Sequence, residues 1–273
     1  DEDFYNLSKT TFFKDNKNNI STAIVAVGVE NLANVSMQLL QNGINKILIE
    51  KPAGIFFKEI TDLARLANNH KASVFVAYNR RFFASSQKAK EIIKLDGGAT
   101  SFNFEFTEWS HVIEPLVKGD SVKERWFLSN SSHVADLAFF LGGKPQEITS
   151  YTRGKDNLSW HPTASVFSGS GVTINNVLFS YYADWTGPGR WGVEIVTKKN
   201  RLILRPMEEL QIQRIGSVNI EHLEISDAID KSFKPGLFKQ VEAFINDDFT
   251  DLCTIVDQHE SMKIFHKIAN YTI

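Results

Sequence analysis

Cysteine occurs once in these 273 residues, at Cys253, so no disulfide can close within the chain and no cysteine-rich metal site can be assembled. The lone thiol reads as a small buried hydrophobe, and a reducing compartment, the cytoplasm, is expected. His70, His111, His222, His259 and His266 show no metal-ligand spacing, so no metal site is expected. No apolar run approaches the roughly 18 residues of a membrane span, and the first twenty residues are polar and acidic rather than signal-like. Charge of one sign is lacking too: 30 Lys and Arg against 32 Asp and Glu leave a net charge of -2. The basic residues are scattered, which argues against nucleic acid or an anionic membrane as the main partner.

With 42% apolar and 23% charged residues, the chain has globular values and length for one large or two ordinary domains. Residues 1–19 carry Phe4, Tyr5, Phe12 and Phe13 among Asn, Lys and Asp, without sustained periodicity, and read as a surface segment with room for one short helix. From Thr22 to Gly28 the chain is continuously apolar. Leu32, Val35, Leu39 and Leu40 then fall on one helical face before Gly43, and Ile47–Glu50 forms the next run. This is a βαβ unit with parallel strands. A second helix, with Phe56, Ile60, Leu63 and Ala67 on one face, leads to a third apolar strand over 72–78. Gly28, Glu50-Lys51 and Asn79-Arg80 therefore follow three strands of one open α/β sheet, whose carboxyl edge is the usual place for ligands.

After Gly97-Gly98 the hydrophobic period changes from helical to two: Phe102, Phe104, Phe106, then Ile148, Ser150, Thr152, and Val177, Phe179, Tyr181. Strands with one buried and one wetter face imply an antiparallel sheet. Gly169-Ser170-Gly171 and Lys198-Lys199-Asn200 are read as its hairpin turns. A helix from His133 to Leu141 with a Gly142-Gly143 stop interrupts these strands. The predicted organisation is an α/β Rossmann-type parallel sheet over 1–96, followed over 97–273 by an α+β domain with a large open, mainly antiparallel sheet. The last helix is expected to pack back on the first domain.

Glu50-Lys51-Pro52, then Tyr78-Asn79-Arg80-Arg81-Phe82, then His133-Val134-Ala135-Asp136-Leu137 before Gly142-Gly143 resemble, in this order, the motifs of the Gfo/Idh/MocA oxidoreductases. The resemblance covers nearly the whole chain. It implies an NAD- or NADP-dependent enzyme acting on a sugar or nucleotide sugar. Lys51 matches the lysine that hydrogen-bonds the reacting oxygen, and His133 the acid/base histidine. Glu50 matches an acid near the cofactor's ribose; Gly28 and Asn79 stand at the neighbouring strand ends. Such chemistry suits these residue types, since alcohol oxidation removes a proton from oxygen while an ammonium stabilises the developing alkoxide. Trp185, Arg190 and Trp191, around Gly187-Pro188-Gly189, either contact the sugar or pack the sheet; His161 and Tyr182 are weaker candidates for the same cleft. The run Ala183–Trp191 looks like that of members in surface-polysaccharide pathways. A homo-oligomer through the open sheet is implied as well.

Two positions depart from the family pattern. Where an aspartate often stands four residues before the histidine, this chain has Ser129, expected beside the substrate but unable to supply the charge. The family's opening strand, Gly-x-Gly-x-x-Gly turn and helix, which cradle the pyrophosphate, are also missing. The chain is thus expected to begin partway through the Rossmann domain, with weakened dinucleotide binding. The discriminator between NAD and NADP would lie after the missing second strand. An alternative is a truncated or degenerate, catalytically inactive sugar-binding or oligomerisation module; a third reading is glycoside cleavage through transient oxidation, which needs an acid carboxylate from the second domain.

Overall fold

The computed structural model describes residues 20–119 and 121–272, so the segment read as a surface element over 1–19 lies outside the described residues. In chain order the main elements are β1 (Thr22–Val25), α1 (Leu32–Gln41), β2 (Lys46–Glu50), α2 (Phe57–Asn69), β3 (Ser73–Ala77) and α3 (Ala84–Leu95). Then come β4 (Ala99–Glu105), α4 (Ser132–Gly142), β5 (Pro145–Arg153), β6 (Val166–Thr173), β7 (Leu178–Asp184), β8 (Gly192–Thr197) and β9 (Asn200–Leu204). The chain closes with β10 (Gln211–Arg214), β11 (Glu221–His222), α5 (Leu237–Ile245), β12 (Cys253–Thr254) and α6 (Ile255–Ala269). Among the described residues no helix is long and apolar enough to cross a membrane.

Two compact units divide these elements. Of the described residues, the first takes in those up to Ala77, those within 119–122 and Cys253–Met262; the second holds Tyr78–Lys118, Lys123–Leu252 and those from Lys263 onward. Residues 78–96, placed in the first domain by hydrophobic period, group with the second unit. The cause is visible in α3: Ser85 and Ser86 are fully buried, and Ser85 Oγ donates to the Met207 carbonyl at 2.5 Å.

In the first unit the strand order is β1-β2-β3-β12, the first three parallel and β12 antiparallel to β3. Ile47, Leu48 and Ile49 are all buried, as a strand covered on both faces requires. Leu32, Leu39 and Leu40 of α1 and Ile60, Leu63 and Ala67 of α2 point inward. Phe56 does not join them, because it is the residue before α2 and is partly exposed. The Glu59 carboxylate closes this helix start, accepting from the Ile55 and Phe56 amides at 2.9 and 3.0 Å. Gly43 ends the α1 turn with φ +89°, a conformation that costs a side chain but not glycine.

The second unit is built on an eight-stranded sheet ordered β11-β10-β9-β8-β4-β7-β6-β5. β4 runs parallel to β7, and the other neighbours are antiparallel. Phe102 and Phe104 pair across β4 and β7 with Phe179 and Tyr181, each pair stacked at 5.3 Å, and Phe139 of α4 stands edge-on to three of these four rings. The Phe and Tyr alternation thus builds the face under α4. The opposite face carries Thr149, Ser168, Ser170 and Ser180 with exposed Tyr151, Leu178 and Tyr182.

Lys198 and Lys199 do form the turn between β8 and β9, but Gly169-Ser170-Gly171 does not turn; it lies in the middle of β6. A Cβ on Gly169 would sit 2.5 Å from the Thr149 carbonyl, and one on Gly171 2.1 Å from that of Glu147. The glycines let β5 and β7 side chains and backbone close on β6, which is the other meaning of glycine inside a strand.

Gly142, the last residue of α4, rests on the Phe102 ring: a Cβ would lie 2.3 Å from it. That ring is held between Phe139 and Phe179 and cannot retreat. Alanine would gain at most about 1 kcal/mol of helix propensity, against an overpacking cost of about 1–3 kcal/mol. Gly142→Ala is therefore expected to lower Tm by several degrees in a thermal melt, and Gly142→Val to lower it further.

Candidate active site

β2 delivers the first group of residues. Its last member, Glu50, accepts from the Lys51 amide at 3.2 Å through its carboxylate and from the Ala53 amide at 3.0 Å through its carbonyl. Lys51 is buried, and the Lys51–Pro52 peptide is cis. The fully buried Gln258 donates from Nε2 to the Pro52 carbonyl at 3.0 Å, and Ala53 has a left-handed φ of 69°. A non-glycine residue in that region is strained and marks a backbone held by its surroundings. The Glu50-Lys51-Pro52 turn is thus fixed in both hydrogen bonding and backbone shape.

β1 ends through exposed Gly28 in a single-glycine turn that enters α1 by way of a short 3-10 turn, Val29–Asn31. A Cβ on Gly28 or on Gly119 would meet the Glu30 carboxyl group at 2.5 or 2.7 Å. A carboxylate at a helix start repels phosphate but accepts from hydroxyls. With Glu50 at the next strand end, the edge of this sheet suits the ribose side of a dinucleotide. Gly187, Gly189 and Gly192 do have the Gly-x-Gly-x-x-Gly spacing, but they join β7 to β8 rather than a strand to a helix.

The second unit positions His133. Its helix is prefaced by a π-helical turn over Phe127–Ser131, a feature often met at functional sites. The buried imidazole stands edge-on to Tyr78, with ring centroids 5.9 Å apart, and 6.4 Å from the Trp191 ring. Its Nδ1 is enclosed by protein. One turn further on, Asp136 receives Arg81 in a fork, Nε at 2.9 Å and Nη2 at 2.6 Å from its two oxygens, both side chains largely buried. This pair ties α4 to the 79–83 turn that also carries Tyr78's neighbours and so fixes the helix under His133.

Ser129 lies inside the π turn, and its hydroxyl donates to the Arg125 and Trp126 carbonyls at 3.3 and 3.4 Å. Asn79 is buried and donates from Nδ2 to the Pro235 carbonyl at 2.9 Å, an anchoring contact for the loop before α5. Arg190 reaches Glu108 at 3.3 Å, and its guanidinium lies 4.7 Å from the rings of both Trp109 and Trp191. Trp185 is in the core: it is 1% exposed, stacks on Trp160 at 5.5 Å and donates from Nε1 to the Phe106 carbonyl. With no open face, it packs the sheet. His161 is beside it, fully buried, with Nδ1 2.8 Å from the Ala164 carbonyl and Nε2 2.7 Å from the Tyr271 hydroxyl. Tyr182 is half exposed on the opposite face of the sheet, where the nearby Glu105 carboxylate raises its pKa.

One residue of this neighbourhood escaped the sequence reading. Glu108 is 1% exposed and accepts from Asn130 at 2.9 Å, Ser131 at 2.6 Å and Arg190. It continues the buried register Phe102, Phe104, Phe106, and a carboxylate in that phase was the available signal.

No protein-family model and no curated protein sequence matches the chain. Solved structures do match. UDP-N-acetylglucosamine 3-dehydrogenase GnnA from Acidithiobacillus ferrooxidans aligns with a TM-score of 0.70 over 93% of this chain and 79% of its own, at 14% identity. Levoglucosan dehydrogenase, in complex with NADH and levoglucosan, gives 0.72 over 96% and 80%, at 16% identity. The fold is that of the Gfo/Idh/MocA oxidoreductases. An NAD binding oxidoreductase from Klebsiella pneumoniae also aligns at 0.72, over 96% of this chain and 80% of its own, at 14% identity. The likeness is one of fold, and it agrees with the three motifs that pointed to these enzymes.

Proposed function

We propose that the protein is a cytoplasmic NAD- or NADP-dependent dehydrogenase acting on a secondary hydroxyl of a sugar or nucleotide sugar. The observation that carries this reading is His133: a buried imidazole on a helix clamped by Arg81 and Asp136, edged by Tyr78 and Trp191, in a fold shared with sugar dehydrogenases. A bound nicotinamide would supply the hydride acceptor for the carbinol carbon. His133 takes the hydroxyl proton. Lys51, in the role its motif implies, donates from Nζ to the same oxygen and holds the developing negative charge. Glu30 and Glu50 bind ribose hydroxyls. Asn79 and Ser129 act as supports of the turns around the site, and Trp185 as packing behind it.

The test is spectrophotometric. The protein is mixed with NAD or NADP and a panel of neutral sugars, sugar acids and nucleotide sugars, and reduced nicotinamide is followed. Turnover with at least one sugar supports the proposal; none across the panel, from protein that binds NADH, would remove it. The run Ala183–Trp191 motivates including sugars of surface polysaccharides. We infer as well that the exposed face of the eight-stranded sheet, with Tyr151, Leu178 and Tyr182, mediates a homo-oligomer. Sedimentation at micromolar concentration is expected to show a dimer or larger species, and a monomer alone would overturn this.

A further inference from the structure

We propose that Arg190 and Trp191, beside His133, form a subsite for an anionic group, a carboxylate or a phosphate, on the sugar substrate; this deepens the dehydrogenase reading and rests on it. The first observation is an orphaned donor. Trp191 is 6% exposed, yet its indole Nε1 is buried without a hydrogen-bond partner. Such a group is costly to bury unless something meets it.

The second observation is an excess of donors over acceptors around it. Among the described residues Arg190 makes one hydrogen bond to the protein, Nη1 to Glu108 at 3.3 Å, so most of its five N–H groups remain available on a side chain that is 46% exposed. Glu108, the nearby acceptor, already receives Asn130 and Ser131 on Oε1 and Arg190 on Oε2. The Arg80 guanidinium lies 4.9 Å from the same Trp191 ring, which puts the two positive charges within about one Debye length, ~10 Å. A single sugar hydroxyl could satisfy the indole, but the planar guanidinium fork matches two oxygens of one carboxylate or phosphate. Arg190 is also held by two indole rings, so little side-chain freedom is lost on binding. The ligand that fits is therefore rich in acceptors and negatively charged at this point, within reach of the ring that handles the proton.

Calorimetric titration of the whole protein with glucose, glucuronate and glucose 1-phosphate tests this without turnover. At least one anionic probe is expected to bind roughly tenfold or more tightly than glucose, and its affinity is expected to fall with added salt. Glucuronate winning would identify a carboxylate subsite, and glucose 1-phosphate winning a phosphate subsite. Arg190→Met and Trp191→Phe, checked for folding by thermal melting, should each shrink the preference for the anionic probes over glucose. Arg190→Lys should restore it only in part, because an ammonium lacks the fork. Equal binding of all three probes, no binding of either anion at millimolar concentration, or an undiminished preference in both variants would overturn the subsite. Anion binding with the expected variant pattern but no nicotinamide reduction would instead leave the subsite standing and remove the dehydrogenase.

Discussion

Replacing His133 by asparagine is expected to lower kcat by about 10²–10⁴, the usual contribution of a positioned general acid or base, while Tm and NADH binding stay near wild type. Asparagine fills much of the imidazole volume and keeps a polar group beside Tyr78 and Trp191, so packing changes little. It cannot cycle a proton near neutral pH. The loss should therefore appear in kcat and in the pH profile of kcat/KM rather than in binding. Lys51→Met, removing a donor to the reacting oxygen, is expected to cost about 10²–10³. A histidine variant with full turnover would reduce His133 to a packing residue.

Mild acid is expected to destabilise the protein steeply. His161 and His266 are both fully or almost fully buried, and burial pulls the pKa of each from 6.5 down to about 4, the Arg125 charge adding to the effect at His266. Burial sets the neutral form of His161, and the network around it accommodates that form. Nδ1–H donates to the Ala164 carbonyl, while Nε2 accepts from the Tyr271 hydroxyl, which in turn accepts from the Phe127 amide. A second ring proton would leave two donors facing each other. Between about pH 6.5 and pH 4 the unfolded chain binds protons on these histidines that the folded chain does not. The stabilisation is complete above about pH 6.5 and is lost as pH falls toward 4, at up to about 1.4 kcal/mol per pH unit for each histidine. Thermal melts from pH 7.5 to 4.5 should show this fall, and His161→Gln should flatten it by about half. A Tm independent of pH across that window would contradict the buried neutral pair. Because Phe127 opens the π turn that leads to His133, the same loss should loosen the active-site helix first.

Element type was legible where one force dominated. Ile47-Leu48-Ile49 could only be a doubly covered strand, and the period-two phenylalanines could only line one face of a sheet. Lys51 and His133 became candidates through the resemblance of the three motifs, which implies their roles at the reacting oxygen; position alone did not single them out. What local pattern could not show was partnership across long stretches of sequence. Gly169 and Gly171 looked like a turn because glycine is ambiguous until the strands on either side are known. Trp185 stood open between sugar contact and sheet packing until His161, Trp160 and Phe106 closed around it. Glu108 was hidden because its acceptors are used by residues 22, 23 and 82 positions away.

The most direct measurement of the central proposal is calorimetric titration of the 273-residue chain with NADH and, in parallel, NADPH. A dehydrogenase of this fold should show saturable binding of one or both at a single site per chain, weakened by Glu50→Gln and unaffected by Gly142→Ala below its melting temperature. Absence of binding by either nucleotide, from folded protein, would contradict the dehydrogenase and leave a sugar-binding or oligomerisation module in its place.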